Sequence, residues 1–365
     1  MTNFIGRLLT QTSIYDEYSA FKRTRDISKK ISIATISVMR LLCIGVTAFV
    51  LFMMLIILIS QRLLKKPVIR EKEAIEGDLY FIVVGDWGRN GTFDQDKVAH
   101  AMGEYCKSNA VNNNGKCHFV ISTGDNFYDD GIHTEDAEQF KTSFENIYTH
   151  PSLNNTPWYV VLGNHDWRGI PKHQINYNKK SKRWNMPDHF YSMLIPKVVQ
   201  FVFIDTAPLD DRYQTNPKMN KDISSQNQTK QLEYIKEQLR VADNEKVVWK
   251  IVVGHHPVYS AAGHADNPYL IESLEPILEE YGVDMYFAGH DHNLQYLTNE
   301  NKTTRHFVSG AGSEVRIDIV PHEMLKHDVM ESGFMFVSLR RDSVNVTFVD
   351  KEAKARYTVP IKSLI

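Results

Sequence analysis

Five short stretches end an apolar run in residues that can bind cations. They are VVGDWG with Asp86, STGDNFYDD with Asp125 and Tyr128, VLGNHD with Asn164 and His165, VVGHHP with His255 and His256, and FAGHDH with His290 and His292. Carboxylate, amide and imidazole are metal donors, and a glycine precedes the first donor each time, allowing a sharp strand exit and close approach of backbone to an ion or phosphate. Each stretch alone is ordinary: Gly-Asp is most often a turn, Asn164-His165-Asp166 can cap a helix, and Gly-His occurs in many satisfied cores. Five together, each at a predicted strand end, converge on one site at the carboxyl edge of a layered α/β protein. Asp125 alone fits many metal or phosphate loops. A phenol three residues later, Tyr128, is a less common donor and asks for its own reason.

The elements that must position these residues are legible as β-branched and aromatic runs. They fall at 79–85, 118–123, 158–163, 199–205, 247–254, 284–289 and 305–310, several apolar throughout, as strands buried between layers are. Helices are predicted between many of them, at 93–108, 135–148, 229–243 and 268–282, an alternation that argues for sheets covered by helices. The runs 333–340 and 343–350, joined by Arg341-Asp342, read as a hairpin finishing a sheet. The polar stretch 210–228 reads as a plain surface loop.

At 365 residues and a net charge of −2, the chain can bury a full core and has no basic surplus to favour nucleic acid. Residues 41–60 carry no charge and have the length of a transmembrane helix. The expected organisation is a solvated tail (1–40) with a Tyr15-Asp-Glu-Tyr18 patch, a span (41–60), a juxtamembrane linker (61–77) and a catalytic domain (78–365). Basic residues flank the span almost evenly, six in 21–40 and five in 61–80, so charge does not orient it. Five N-x-S/T sequons, at Asn90, Asn154, Asn227, Asn301 and Asn345, all follow the span and favour a lumenal or extracellular C-terminal part, hence a type II single-pass protein. Cys106 and Cys117 flank a polar loop that a disulfide could close, and two free thiols fit equally well.

The five motifs, with the longer runs GHDHNLQYL (289–297), VSGAGS (308–313) and KSKRWNMPDHFY (180–191), resemble the metallophosphoesterase superfamily over about residues 78–320. Within it they are most similar to the purple acid phosphatases of the animal tartrate-resistant type. The resemblance implies a four-layer α/β/β/α sandwich of two mixed sheets. It also implies a dinuclear centre, with Asp86, Asp125, Tyr128 and His292 on Fe(III), and Asn164, His255 and His290 with bridging Asp125 on a divalent Fe(II), Zn or Mn. His256, the competitor of His255, becomes a wall residue, and His165 and His264 become the substrate-side histidines. The implied reaction is in-line attack of a hydroxide on phosphate monoesters, carried by small molecules or phosphoproteins, in a membrane-anchored acid phosphatase. The alternatives are a phosphodiesterase or pyrophosphatase of the same superfamily, and a non-catalytic membrane-tethered binding module.

Overall fold

Alternate residues of the run Leu79–Val84 enter different cores. Leu79, Phe81 and Val83 pack with Phe201, Ile251 and Phe287, whereas Tyr80, Ile82 and Val84 pack with Trp87, Val98 and Met102. A strand buried on both faces must lie between two layers, which is why its sequence is continuously apolar. The computed structural model describes residues 2–63, 67–70 and 78–363. The chain divides into two compact units, Met1–Lys65 and Lys66–Ile365.

In the second unit and in chain order the strands are β1 (Val68–Arg70), β2 (Leu79–Val84), β3 (Phe119–Ser122), β4 (Trp158–Val160), β5 (Trp184–Asn185), β6 (Tyr191–Ile195), β7 (Val199–Phe203), β8 (Trp249–Val253), β9 (Met285–Ala288), β10 (Leu294–Leu297), β11 (Arg305–Ser309), β12 (Leu325–Val329), β13 (Gly333–Leu339), β14 (Ser343–Asp350) and β15 (Ala355–Lys362). One sheet has the order β15-β14-β13-β2-β3-β4-β5 and the other β1-β6-β7-β8-β9-β11-β10-β12. Each mixes parallel and antiparallel pairs: β2, β3 and β4 run parallel, as do β7, β8 and β9, while β13 is antiparallel to β2 and β14. Their facing sides share one apolar cluster, and each outer side has its own, filled by helices such as Gln95–Asn109 on the first sheet and Gln228–Asn244 on the second. The result is the expected four-layer α/β/β/α arrangement.

Several elements differ from expectation for local reasons. The helix predicted over 268–282 is two, Pro268–Ser273 and Glu275–Glu280, because Pro276 cannot continue the first. Of 135–148, only Phe140–Glu145 is helical. The hairpin does not finish its sheet: β15 adds a third antiparallel strand to β14. Within the stretch read as a linker, Val68–Arg70 is a strand paired in parallel with β6 and fastened by an Arg70–Glu245 ion pair of 2.9 Å. Cys106 and Cys117 form a disulfide tying the end of helix Gln95–Asn109 to the entry of β3.

The first unit is a helix, Thr2–Leu63, so the stretch read as a solvated tail is helical from residue 2. Its portion Ser19–Met54 contains an 18-residue window of mean hydropathy 2.2, long and apolar enough to cross a membrane. Large apolar side chains there are uncovered, Leu41 and Phe49 among them. The expected span lies in this helix, with the side chains of residues 55–60 outside the described ones.

Candidate metal centre

Asp86, Asp125, Asn164, His255 and His290 stand two to four residues past the ends of β2, β3, β4, β8 and β9. The first three strands are neighbours in one sheet and the last two in the other, and the two sets of loops meet: His290 donates its backbone N–H to Asp86 Oδ2 at 2.9 Å, and His255 Nδ1 donates to the Thr123 carbonyl at 2.9 Å. The approach is close enough to exclude side chains. A Cβ on Gly163 would lie 2.1 Å from Asp125 Oδ1, and one on Gly289 2.5 Å from Asp86 Oδ2. Glycine at these two places therefore makes room for the carboxylates, beyond turning the chain out of the strand. Asp86 (φ 61°), Asp125 (φ 50°) and His290 (φ 70°) hold left-handed backbone, which costs a non-glycine residue about 1–3 kcal/mol and concentrates at functional sites.

Tyr128 is at the centre. Its hydroxyl lies 2.9 Å from Asp86 Oδ1, 3.1 Å from Asp125 Oδ2 and 3.1 Å from His292 Nε2. Across Asp125, His255 turns Nε2 inward, 3.1 Å from Asn164 Oδ1, 3.2 Å from His290 Nδ1 and 3.5 Å from Asp125 Oδ2. All seven candidate ligands thus come together in two groups, and one oxygen, Asp125 Oδ2, borders both. That is the position a bridging ligand must occupy.

The donor set fits cations on its own electrostatics. Asp86, Asp125 and Tyr128 are almost fully buried at 0%, 2% and 7% exposure. Burial, then the Asp125 charge, pushes the Asp86 carboxyl well above the carboxylate range, and burial with both carboxylates pushes the Tyr128 phenol well up. Burial raises Asp125 too, but His255, His165 with its backbone N–H, and His292 act together in the opposite direction and hold that carboxyl low. Three acidic groups this close are in conflict until a cation joins them. Burial lowers His255, burial and the neighbouring histidines lower His290 further, and burial with Arg316 brings His292 to about 3, all in the direction of the neutral ring that a metal ligand must present.

His165 and His264 sit at the rim. The His165 ring is tilted against Tyr128 with centroids 4.5 Å apart and donates Nδ1–H to the Asp129 carbonyl at 2.6 Å, with Nε2 3.9 Å from Asp125 Oδ2. His264 lies 4.1 Å from the His290 ring, with Nδ1 2.6 Å from Asp291 Oδ1. His256 is close enough to group with His255 and His290, but both its nitrogens are engaged, by Thr206 Oγ1 at 2.8 Å and Tyr213 Oη at 3.0 Å. Tyr213 comes from the segment read as a plain surface loop. Through Tyr213 that segment reaches the site, and it also buries Met219 and Ile223 in the apolar cluster on the outer side of the first sheet.

Other contributors were not singled out in sequence. Asp166 is completely buried and accepts from the backbone of Gly163 (2.8 Å), Asn126 (3.0 Å) and Phe127 (3.2 Å) and from Gln174 Nε2 (2.8 Å), holding two ligand loops together. Burial, then the Asp125 charge, raises it to about 7. Asp291, between two ligand histidines, holds His264. An aspartate standing beside the donors in a ligand motif is the only signal that sequence offers for either.

The pattern of the family described as calcineurin-like phosphoesterase matches residues 79–294. The chain is 37% identical over 332 residues to purple acid phosphatase 17 of Arabidopsis thaliana, covering 87% of this chain and 91% of that protein. It is 33% identical to tartrate-resistant acid phosphatase type 5 of Rattus norvegicus, covering 82% of this chain and 95% of that protein. Among solved structures it is similar to GAP50, described as the anchor in the inner membrane complex of Plasmodium, with a TM-score of 0.68 and 25% identity over 80% of this chain and 90% of that one. It shares its fold with purple acid phosphatase PPD1 of yellow lupin (Lupinus luteus) seeds, at a TM-score of 0.57 and 15% identity over 80% of this chain and 55% of that one.

Proposed function

The chain belongs to the calcineurin-like phosphoesterase family and, within it, to the purple acid phosphatases, and from that premise we propose that it hydrolyses phosphate monoesters with Fe(III) held by Asp86, Asp125, Tyr128 and His292 and a divalent iron, zinc or manganese held by Asn164, His255, His290 and the shared Asp125. The observation that carries this reading is the Tyr128 hydroxyl, within 3.1 Å of Asp86, Asp125 and His292. Hard carboxylate and phenolate oxygens favour a trivalent ion, whereas amide and imidazole suit a divalent one. When bound, the two cations offset the charge of the phosphate and acidify a water for in-line attack.

The chain's own residues do the rest. His165, with Nδ1–H committed to the Asp129 carbonyl, donates Nε2–H to a phosphoryl oxygen when its ring is protonated. His264 is held through Nδ1 by Asp291, which fixes the ring at the rim, and it is the group we assign to donate a proton to the departing alkoxide. Asp166 fixes the loops of Asp125 and Asn164 so that these roles need little rearrangement.

We further read residues 41–60, within helix Thr2–Leu63, as a single membrane span and the catalytic unit as lumenal or extracellular. Supporting this are the Cys106–Cys117 disulfide, suited to an oxidising compartment, and the exposure of all five sequon asparagines. A cleavable signal sequence is the competing role for the helix. Glycosidase treatment of the intact protein tests the placement: a mass decrease is expected, and unmodified sequons from a cell that glycosylates would contradict it.

A second reading, a tethered scaffold without turnover, is favoured by the likeness to a protein described as an anchor. Presence of all seven candidate ligand types and both rim histidines weighs against it. Assay of the full chain in detergent on an aryl phosphate at acidic and neutral pH separates the two. Turnover lost in His264→Asn supports the phosphatase, and metal-loaded protein without turnover supports the scaffold.

A further inference from the structure

We propose that the Arg89–Glu314 ion pair is a positioning device that sets the donor strength of Tyr128 and orients His292, two ligands of the same metal. The inference rests on reading those two residues as ligands of Fe(III).

Arg89 lies over the tyrosine ring, its guanidinium carbon 3.9 Å from the ring centroid, with the Phe93 ring at 5.0 Å from the same carbon. Both guanidinium ends face carboxylates: Nη2 is 2.6 Å from Glu314 Oε2 and Nη1 is 3.4 Å from Asp129 Oδ1. The side chain is only 12% exposed, although a surface arginine of ordinary function would extend into water. Its loop is pinned, since Arg89 donates its backbone N–H to Trp87 O and Gln95 Oε1, Asn90 accepts from Ser143 Oγ, and Gly88 O accepts from Tyr128 N–H at 2.9 Å.

Glu314 faces the second ligand. The same oxygen that binds Arg89 is 3.8 Å from His292 Nδ1, which is buried and has no hydrogen-bond partner among the described residues. An imidazole that commits Nε2 to a metal carries its proton on Nδ1 and needs an acceptor there. Glu314 is the carboxylate facing that proton, one small movement beyond hydrogen-bond range.

A guanidinium keeps its charge at any working pH, so its field on the phenolate is constant. A positive charge over the ring stabilises the donor electrons of the tyrosinate more than it changes the more distant metal. It therefore raises the energy of the phenolate-to-iron transition and moderates the phenolate as a donor. Glu314 opposes that field through its own charge, so the two partners act on the ligand with opposite signs.

The test is the visible spectrum and the iron content of the full chain in detergent, compared with Arg89→Met, Arg89→Lys and the near-isosteric Glu314→Gln. Arg89→Met is expected to move the band to longer wavelength and Glu314→Gln to shorter wavelength, with Arg89→Lys between Arg89→Met and the unaltered protein. Glu314→Gln is also expected to lose iron about 10–100-fold more readily on dialysis against a chelator, the usual cost of removing a partner behind a metal-bound histidine. Bands that stay in place, or that shift in one direction in both Arg89→Met and Glu314→Gln at equal iron content, overturn the proposal while leaving the ligand reading intact. Unaltered protein with full metal and no visible band overturns the ligand reading, and the proposal with it.

Discussion

The residues that would do chemistry were legible because each donor motif is contiguous and ends an apolar run, while those that hold the donors were not. Asp166 and Asp291 look like neighbours of ligands in sequence; only the folded chain brings Asp166 to Asn126, Phe127 and Gln174, and Asp291 to His264. Replacing Asp166 with Ala leaves several buried N–H donors unpaired and is expected to cost about 3 kcal/mol, read as a lower denaturant midpoint, with activity lost in parallel. His264→Asn is expected to lower kcat about 10²–10⁴-fold with little change in melting temperature, since the ring is a partly exposed rim group. Asp291→Asn should act in the same direction but less, through misorientation of that ring. A melting temperature that falls with kcat in either variant would assign the residue to the fold.

Elements were readable where periodicity is strong and where breakers are explicit. β2, β8 and β9 stand out as apolar runs, but β1, three residues long, and β5, two residues long, have no periodicity to detect and exist only because a neighbouring strand offers an open edge. A consequence attaches to β1. A soluble version starting beyond Arg70 lacks the strand on β6 and the Arg70–Glu245 pair, so it is expected to melt lower and aggregate more than one starting before Pro67. Equal melting and solubility would make β1 dispensable. The disulfide links positions 11 apart, and its reduction is expected to cost up to about 3 kcal/mol from the small loop it closes. A midpoint unmoved by reductant would contradict that.

At the scale of the molecule, two sheets bring five strand ends to one place, and the stability of that scaffold has a pH dependence of its own. Burial raises Asp284, at the entry to β9, from the usual carboxylate range to about 6. A carboxyl whose folded value lies above its unfolded value favours folding in its protonated form, so its contribution is full below about 4 and is lost as pH rises through about 6. Asp284→Asn should therefore flatten the decline in stability between pH 4 and 7, an effect of at most about 3 kcal/mol. An unchanged profile would remove Asp284 as its cause. Fold class was readable from the alternation of strands and helices, whereas the helical state of residues 2–40 was not, because their polar composition fits a solvated tail as well. The central claim is that two metals, one of them a tyrosinate-bound iron, lie between Asp86, Asp125, Tyr128, Asn164, His255, His290 and His292. Its most direct test is metal analysis of the full chain in detergent combined with the visible spectrum of unaltered protein and Tyr128→Phe. Two metal ions per chain, including iron, with a visible band that disappears in Tyr128→Phe is the expected result; a fully loaded protein that is colourless, or whose band survives that substitution, would contradict it.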